Sequence, residues 1–332
     1  MLASRIHPHS ATEPSGIACD GTSNTHTAAT ENGSRTSRSL SLMRCEFPIL
    51  ARDGAHLSAA RVGAASAPAS VVYLHSTGAD AGYWTPLVEH LHQRLDGGIA
   101  QFVYDQRNHD HSATPSHTAQ WSLATLIDDL ESVLDHASGA IVLTAHSAAA
   151  ALIHEWARHK PEATRRLAGI VFHNPSLESS CTTDTSDALP HPVVRGRSGP
   201  FEEFARHLCT APDAPALHAR KPGRGLADNE PQDEFAEPKA AELPAYSATS
   251  LSDEATAVLR VVPTWVLAGQ LDPVVAAHRS RNFAEQIWAD YETIPDAGHW
   301  LSYTNPRPAA EPILAALEVA YRAAHEPGGG GW

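Results

Sequence analysis

The sequence predicts an α/β protein, a mostly parallel central sheet flanked by helices and interrupted by one long insertion. Two features predict it. Continuous apolar runs of strand length alternate with amphipathic stretches of helical period from Val71 to Phe172 and again from Thr264 to Ala323, the pattern of strands buried on both faces and joined through helices. Between them, from Pro175 to about Val262, the alternation stops and the chain becomes polar and rich in proline.

Taken in order, Glu46 to Ala51 and His56 to Val62 flank Asp53-Gly54 and predict two strands around a tight turn. Val71 to His75 is a buried strand, Tyr83 to Leu95 an amphipathic helix, Ala100 to Tyr104 a strand, and Leu123 to His136 a helix with apolar positions three and four apart. Ala140 to Thr144 is again a strand, Ala148 to His159 a helix, and Ala168 to Phe172 the sixth strand. The pattern resumes with strand Thr264 to Ala268, helix Val274 to Ile287, strand Tyr291 to Ile294 and a closing helix from Ala309 to Ala323.

The domain organisation follows. Residues 1–43 are rich in Ser, Thr, Ala, His and Gly, lack periodicity and predict a disordered tail. Residues 44–174 and 263–326 form the two parts of one core, 175–262 an inserted lid, and 327–332 a flexible Gly-rich tail. Within the lid, Phe201 to Leu208 has a helical pattern, and Ala211 to Glu242 predicts a mobile stretch.

At 332 residues the chain can bury a substantial core without a metal or disulfide staple. Cys19, Cys45, Cys181 and Cys209 form no CxxC pair and predict free thiols. A formal net charge of -14, with no clustered Lys or Arg, argues against nucleic acid. No run approaches the ~20 apolar residues of a membrane span, and Arg5 is followed by His7 to Ser10 rather than by the apolar core of a secretory signal. The expectation is a cytoplasmic protein. Although there are 21 histidines, no HExxH occurs, and neither Glu89, His90, His92 nor His109, Asp110, His111 gains a third ligand at a metal-binding offset. Neither a metal nor a cofactor is expected.

The chemistry lies at the ends of predicted strands, where open parallel sheets bind ligands. Strand Ala140 to Thr144 runs into Ala145-His146-Ser147-Ala148-Ala149 and then a helix. This small-x-Ser-x-small turn is what a nucleophile on a strained strand-to-helix corner requires, because the residues two before and two after must let the backbones pass. Leu74-His75-Ser76-Thr77-Gly78 closes the first buried strand and Tyr104 to Ser112 the next. Downstream, Asp272 follows strand Thr264 to Ala268 within Ala268-Gly269-Gln270-Leu271-Asp272-Pro273, and His299 lies in the last loop within Asp296-Ala297-Gly298-His299-Trp300.

Together these five segments resemble the α/β-hydrolase superfamily over roughly residues 45 to 323, in its serine esterase branch, and the order Ser, Asp, His is that family's. The resemblance implies an α/β-hydrolase fold with a lid after the sixth strand. It also implies Ser147 as nucleophile, His299 as general base, Asp272 as the acid that orients it, and the backbone amides of Thr77 and Ala148 as the oxyanion hole. His75, Ser76, His146, His173 and Trp300 would line the substrate pocket. The implied reaction is hydrolysis of a small or medium acyl compound, foremost a carboxylic ester, with a small-molecule acyl substrate as the partner. Two alternatives share these motifs: a non-hydrolytic enzyme such as a lyase or cofactor-free peroxidase, and a degenerate hydrolase that binds without turnover.

Each residue also has a bland reading. Asp272 could cap a helix that starts at Pro273, and Asp296 is more simply a turn former. His146 could be packed, and His173-Asn174 could contact substrate or fill the core edge. Phe201, Phe204 and Tyr246 read as lid core. Where the family carries glycines, Ser76, Asn108 and Asp110 depart from its pattern; Asn and Asp fit if φ is positive.

Overall fold

The computed structural model describes residues 44–76, 79–109, 111–112, 122–177 and 251–325. Strands β1 (Arg44–Leu50) and β2 (His56–Val62) form a hairpin, followed by β3 (Ala69–Leu74), α1 (Thr85–Arg94), β4 (Ala100–Tyr104) and α2 (Leu123–Leu134). Next come β5 (Ala140–His146), α3 (Ala149–His159) and β6 (Leu167–His173). After the insertion follow α4 (Asp253–Leu259), β7 (Thr264–Gly269), α5 (Ala277–Ile287), β8 (Asp290–Ile294), α6 (Leu301–Thr304) and α7 (Pro306–His325).

The strands form one eight-stranded sheet in the order β1-β2-β4-β3-β5-β6-β7-β8. β1/β2 and β2/β4 are antiparallel, and the other pairs are parallel. The expected mostly parallel sheet is therefore present. Its strands are apolar on both faces because each face is covered: Val71, Tyr73, Val142 and Val171 pack with Leu87, Leu91, Leu301 and Ile313, while Val72, Leu143, Ile170 and Phe172 pack with Leu130, Trp156 and Phe283. Such burial on both sides is why the sequence shows continuous apolar runs rather than alternation.

Several features differ from expectation. The helix read from Tyr83 begins instead as a 3-10 turn, Ala81–Trp84, before α1. Residues 251–262, read as the end of the insertion, hold α4, started by the Ser252 side chain accepting from Ala255 N at 3.2 Å; Leu259 and Val262 join the core. Cys45 is disulfide-bonded to a residue outside the described ones, so the free-thiol expectation fails for it. The predicted tails, the helix Phe201 to Leu208 and the mobile stretch Ala211 to Glu242 also lie outside the described residues. Among the described residues, no helix is long and apolar enough to cross a membrane, and no group of three or more His, Cys, Asp or Glu side chains is placed to hold a metal ion.

Candidate active site

β5 ends at His146 and α3 begins at Ala149, so Ser147 occupies the corner between them. Its φ is +51°, in the left-handed region that non-glycine residues seldom adopt. Backbone bonds hold it there: Ser147 N donates to the His173 carbonyl at 2.9 Å, and the Ser147 carbonyl accepts from Ala150 N at 3.0 Å and Ser176 N at 3.1 Å. Ala145, Ala148 and Ala149 are buried around the turn, which is why the corner tolerates only small side chains. Ala148 stands at the head of α3, where amides lack helical partners and the helix dipole favours negative charge.

Asp272 and His299 meet from the ends of two other strands. His299 Nδ1 donates to Asp272 Oδ2 at 2.8 Å with both side chains buried. The second carboxylate oxygen, Oδ1, accepts from Val274 N at 2.7 Å and Val275 N at 2.8 Å. Asp272 thus caps the turn ahead of α5, which starts only at Ala277, and orients the imidazole at the same time. With the proton on Nδ1, Nε2 carries the lone pair; it is buried and has no hydrogen-bond partner among the described residues. The rival acid, Asp296, is exposed and turns the chain at a φ of +58°.

A sequence profile described as the Alpha/beta hydrolase family matches residues 71–311. This chain belongs to the alpha/beta hydrolase family. Solved structures share the fold at low identity. A candidate aryl esterase from Burkholderia cenocepacia is 20% identical, with 83% of this chain and 99% of that one covered and a TM-score of 0.62. A thermophilic esterase from Thermogutta terrifontis is 20% identical over 83% and 99%, with a TM-score of 0.54. A carboxylesterase structure from Nitrososphaera gargenis is 18% identical over 82% and 97%, with a TM-score of 0.53. No curated protein gives a significant sequence match.

Around Ser147, Asp272 and His299, this alpha/beta hydrolase buries several further histidines. Burial holds His146 well below its ordinary pKa, so it stays neutral. Its Nε2 donates to the His299 carbonyl at 2.9 Å, and Tyr83 stacks on it with centroids 4.4 Å apart. His173 lies beside His146 in the β5/β6 register; its Nδ1 bonds the Ser302 hydroxyl, and burial pushes its pKa down to about 3. His75 Nε2 accepts from Gln106 N at 2.9 Å, which leaves its proton on Nδ1 for the Ser76 carbonyl, also 2.9 Å away. These bonds tie the turn after β3 to the turn after β4. Ser76 and Trp300 are buried too, the latter 6.1 Å from His299 between ring centroids. Thr77, the expected oxyanion donor, lies outside the described residues, as does Asp110. Asn108 adopts the positive φ, +65°, that its place in the family's glycine pattern requires.

Sequence reading did not find the part played by Asn174. Its side chain is fully buried, with Oδ1 accepting from Gly269 N at 2.7 Å and Nδ2 donating to the His299 carbonyl at 2.8 Å and the Gly298 carbonyl at 3.2 Å. Both ends of the amide are therefore occupied by backbone. The available signal was an Asn-Pro pair at the C-terminal end of a parallel strand, which marks a turn but names no partner.

Proposed function

We propose that this protein is a serine hydrolase that cleaves a carboxylic ester of small or medium size through an acyl-enzyme on Ser147. The observation that carries the reading is the buried Asp272 to His299 hydrogen bond of 2.8 Å, which leaves the proton-accepting nitrogen of His299 without a partner among the described residues, in a structure whose serine stands on a strained corner. In this reading His299 Nε2 takes the Ser147 hydroxyl proton as the oxygen attacks the ester carbonyl. The tetrahedral oxyanion forms against the Ala148 and Thr77 amides. Collapse expels the alcohol, which receives the proton from His299, and water repeats the steps to release the acid. Asp272 keeps the imidazole in the Nδ1–H tautomer and stabilises it when it becomes charged.

An apo geometry in which the base nitrogen has no partner fits this scheme, because catalytic hydrogen bonds commonly tighten only once substrate arrives. A serine at the corner favours an acyl-enzyme that water can clear. The names of the structural neighbours, two esterases and a carboxylesterase, lend the ester its support. The test is labelling of the purified protein with a fluorophosphonate, followed by peptide mapping. An adduct on Ser147 that disappears in His299→Ala is the expected result. Absence of an adduct on folded wild type would reject the reading, and ester turnover retained in Ser147→Ala would instead favour chemistry driven by His299 alone.

A further inference from the structure

We propose that Asn174 is a positioning residue that sets the register between the loop carrying Asp272 and the loop carrying His299; the proposal rests on the hydrolase reading above. The acid leaves the sheet three residues after Gly269, the last residue of β7, and the base follows Gly298. These two backbones lie in direct contact. A Cβ on Gly269 would stand 2.4 Å from the Gly298 carbonyl oxygen and 2.5 Å from that of Ala297. Gln270 N donates to Ile294 O at 3.0 Å and Leu271 N to Ala297 O at 2.8 Å, but neither bond reaches His299 itself.

The Asn174 amide does reach it. Gly269 N can only donate and the two carbonyls can only accept, so the site requires one acceptor and two donors in a single planar group, and a primary amide supplies them. The His299 carbonyl takes a second donor from His146 Nε2, so the backbone of the base is held from β6 through Asn174 and from β5 through the residue before the nucleophile. Asn174 is itself fixed: its N–H donates to the Leu267 carbonyl at 2.8 Å, and its φ is +47°. Few residues other than Asn, Asp and Gly adopt that conformation. With every polar atom of its amide engaged and no exposed surface, the side chain acts on the reaction through His299.

This polarity dictates the variant. Asn174→Asp keeps the shape and the backbone preference but turns a lone pair toward the two carbonyl oxygens. Burial and that repulsion raise the new carboxyl's pKa. Protonated, it restores one donor; ionised, it pushes the His299 loop away. With p-nitrophenyl acetate as probe substrate, kcat is expected to fall about 10²-fold at high pH with KM little changed, the size of effect that a displacement of about an ångström produces. The ratio of variant to wild-type kcat should climb as pH falls from about 9 to about 6, as expected for a buried carboxyl whose pKa is raised.

A folded Asn174→Asp protein with wild-type kcat and a flat ratio across that range would overturn the proposal. If Asn174→Asp does not fold, Asn174→Ser is measured in its place, with a kcat loss at constant KM expected. Failure of both to fold would make Asn174 scaffold and overturn it as well. Should wild type itself show no fluorophosphonate adduct, the hydrolase reading fails, and the clamp is judged by the downfield Nδ1 proton resonance of His299. Its loss in Asn174→Asp would support the clamp, and its persistence unchanged would overturn it.

Discussion

At the scale of single residues, the carboxylate of Asp272 divides its work between its two oxygens. Oδ1 is spent on the amides of Val274 and Val275, and Oδ2 on His299. Asp272→Asn keeps an oxygen for the two amides but presents an NH₂ to His299 Nδ1. The ring must then carry its proton on Nε2, the nitrogen that has to be bare. On the proposed mechanism kcat with p-nitrophenyl acetate is expected to drop by roughly 10³ to 10⁴, with little change in thermal stability. A loss below tenfold would mean that the tautomer of His299 is held by something else. The proposed roles of Ser147, Asp272 and His299 rest on motifs legible in the sequence, because each lies in the segment that follows a strand. That of Asn174 was not legible, because its partners are three backbone atoms roughly a hundred residues away, and backbone atoms leave no mark in sequence.

At the scale of elements, the turn after β4 is locked by one buried cation. Arg107 donates from Nε to Asp129 Oδ2 at 2.9 Å and from Nη2 to Asp129 Oδ1 at 2.6 Å, and it reaches Asp53 through Nη1 at 2.7 Å. It thereby joins α2 and the β1/β2 turn to the segment bearing Gln106 and His109. Hydrogen bonding to Asp129 raises the guanidinium's pKa, and Arg107 in turn lowers that of Asp53. Arg107→Ala strands the buried Asp129, which has only 3% of its side chain exposed. Loss of about 3–5 kcal/mol is expected in urea unfolding. Arg107→Met combined with Asp129→Leu should recover most of it, since replacing a buried pair by apolar groups is often neutral. If the double variant is no more stable than Arg107→Ala, the damage lies in the turn rather than in the stranded charge. The motif around Arg107 showed in the sequence as a resemblance, whereas its two acidic partners, 54 and 22 residues away, did not.

At the scale of the whole molecule, the buried histidines set a limit in acid. His75, His109, His146 and His173 all have pKa values lowered, chiefly by burial, with His109 at about 4 and His173 at about 3. In the unfolded chain each titrates near ~6.5. The unfolded state therefore binds more protons below that pH, so the stability tied to neutral histidines is fully present above about 6.5 and drains away as pH falls toward the folded values. Each such group contributes a slope of about 1.4 kcal/mol per pH unit, and the four together about 5, against a typical total stability of ~5–15 kcal/mol. Circular dichroism against pH is expected to show cooperative unfolding between about pH 4 and pH 6, with uptake of roughly three to four protons. An unfolding transition whose midpoint does not change with pH between about 6.5 and 4 would show that these rings gain no protons on unfolding.

What the sequence by itself determined is whatever depends on local pattern. Runs such as Val71 to Leu74 and Ile141 to Leu143, bounded by turn residues, read as strands buried on both faces, and the corner at Ser147 needed small neighbours at 145 and 149. Tertiary structure decided which strand ends meet. Strand order β3-β5-β6-β7-β8 brings residues 147, 174, 272 and 299 together, although no local periodicity links them. It also decided that His146 and His173 would be buried, neutral and bonded, and that the amide of Asn174 would find Gly269 and His299. Hydrogen bonds to distant backbone depend on where the sheet places those atoms, and that placement is a property of the assembled fold.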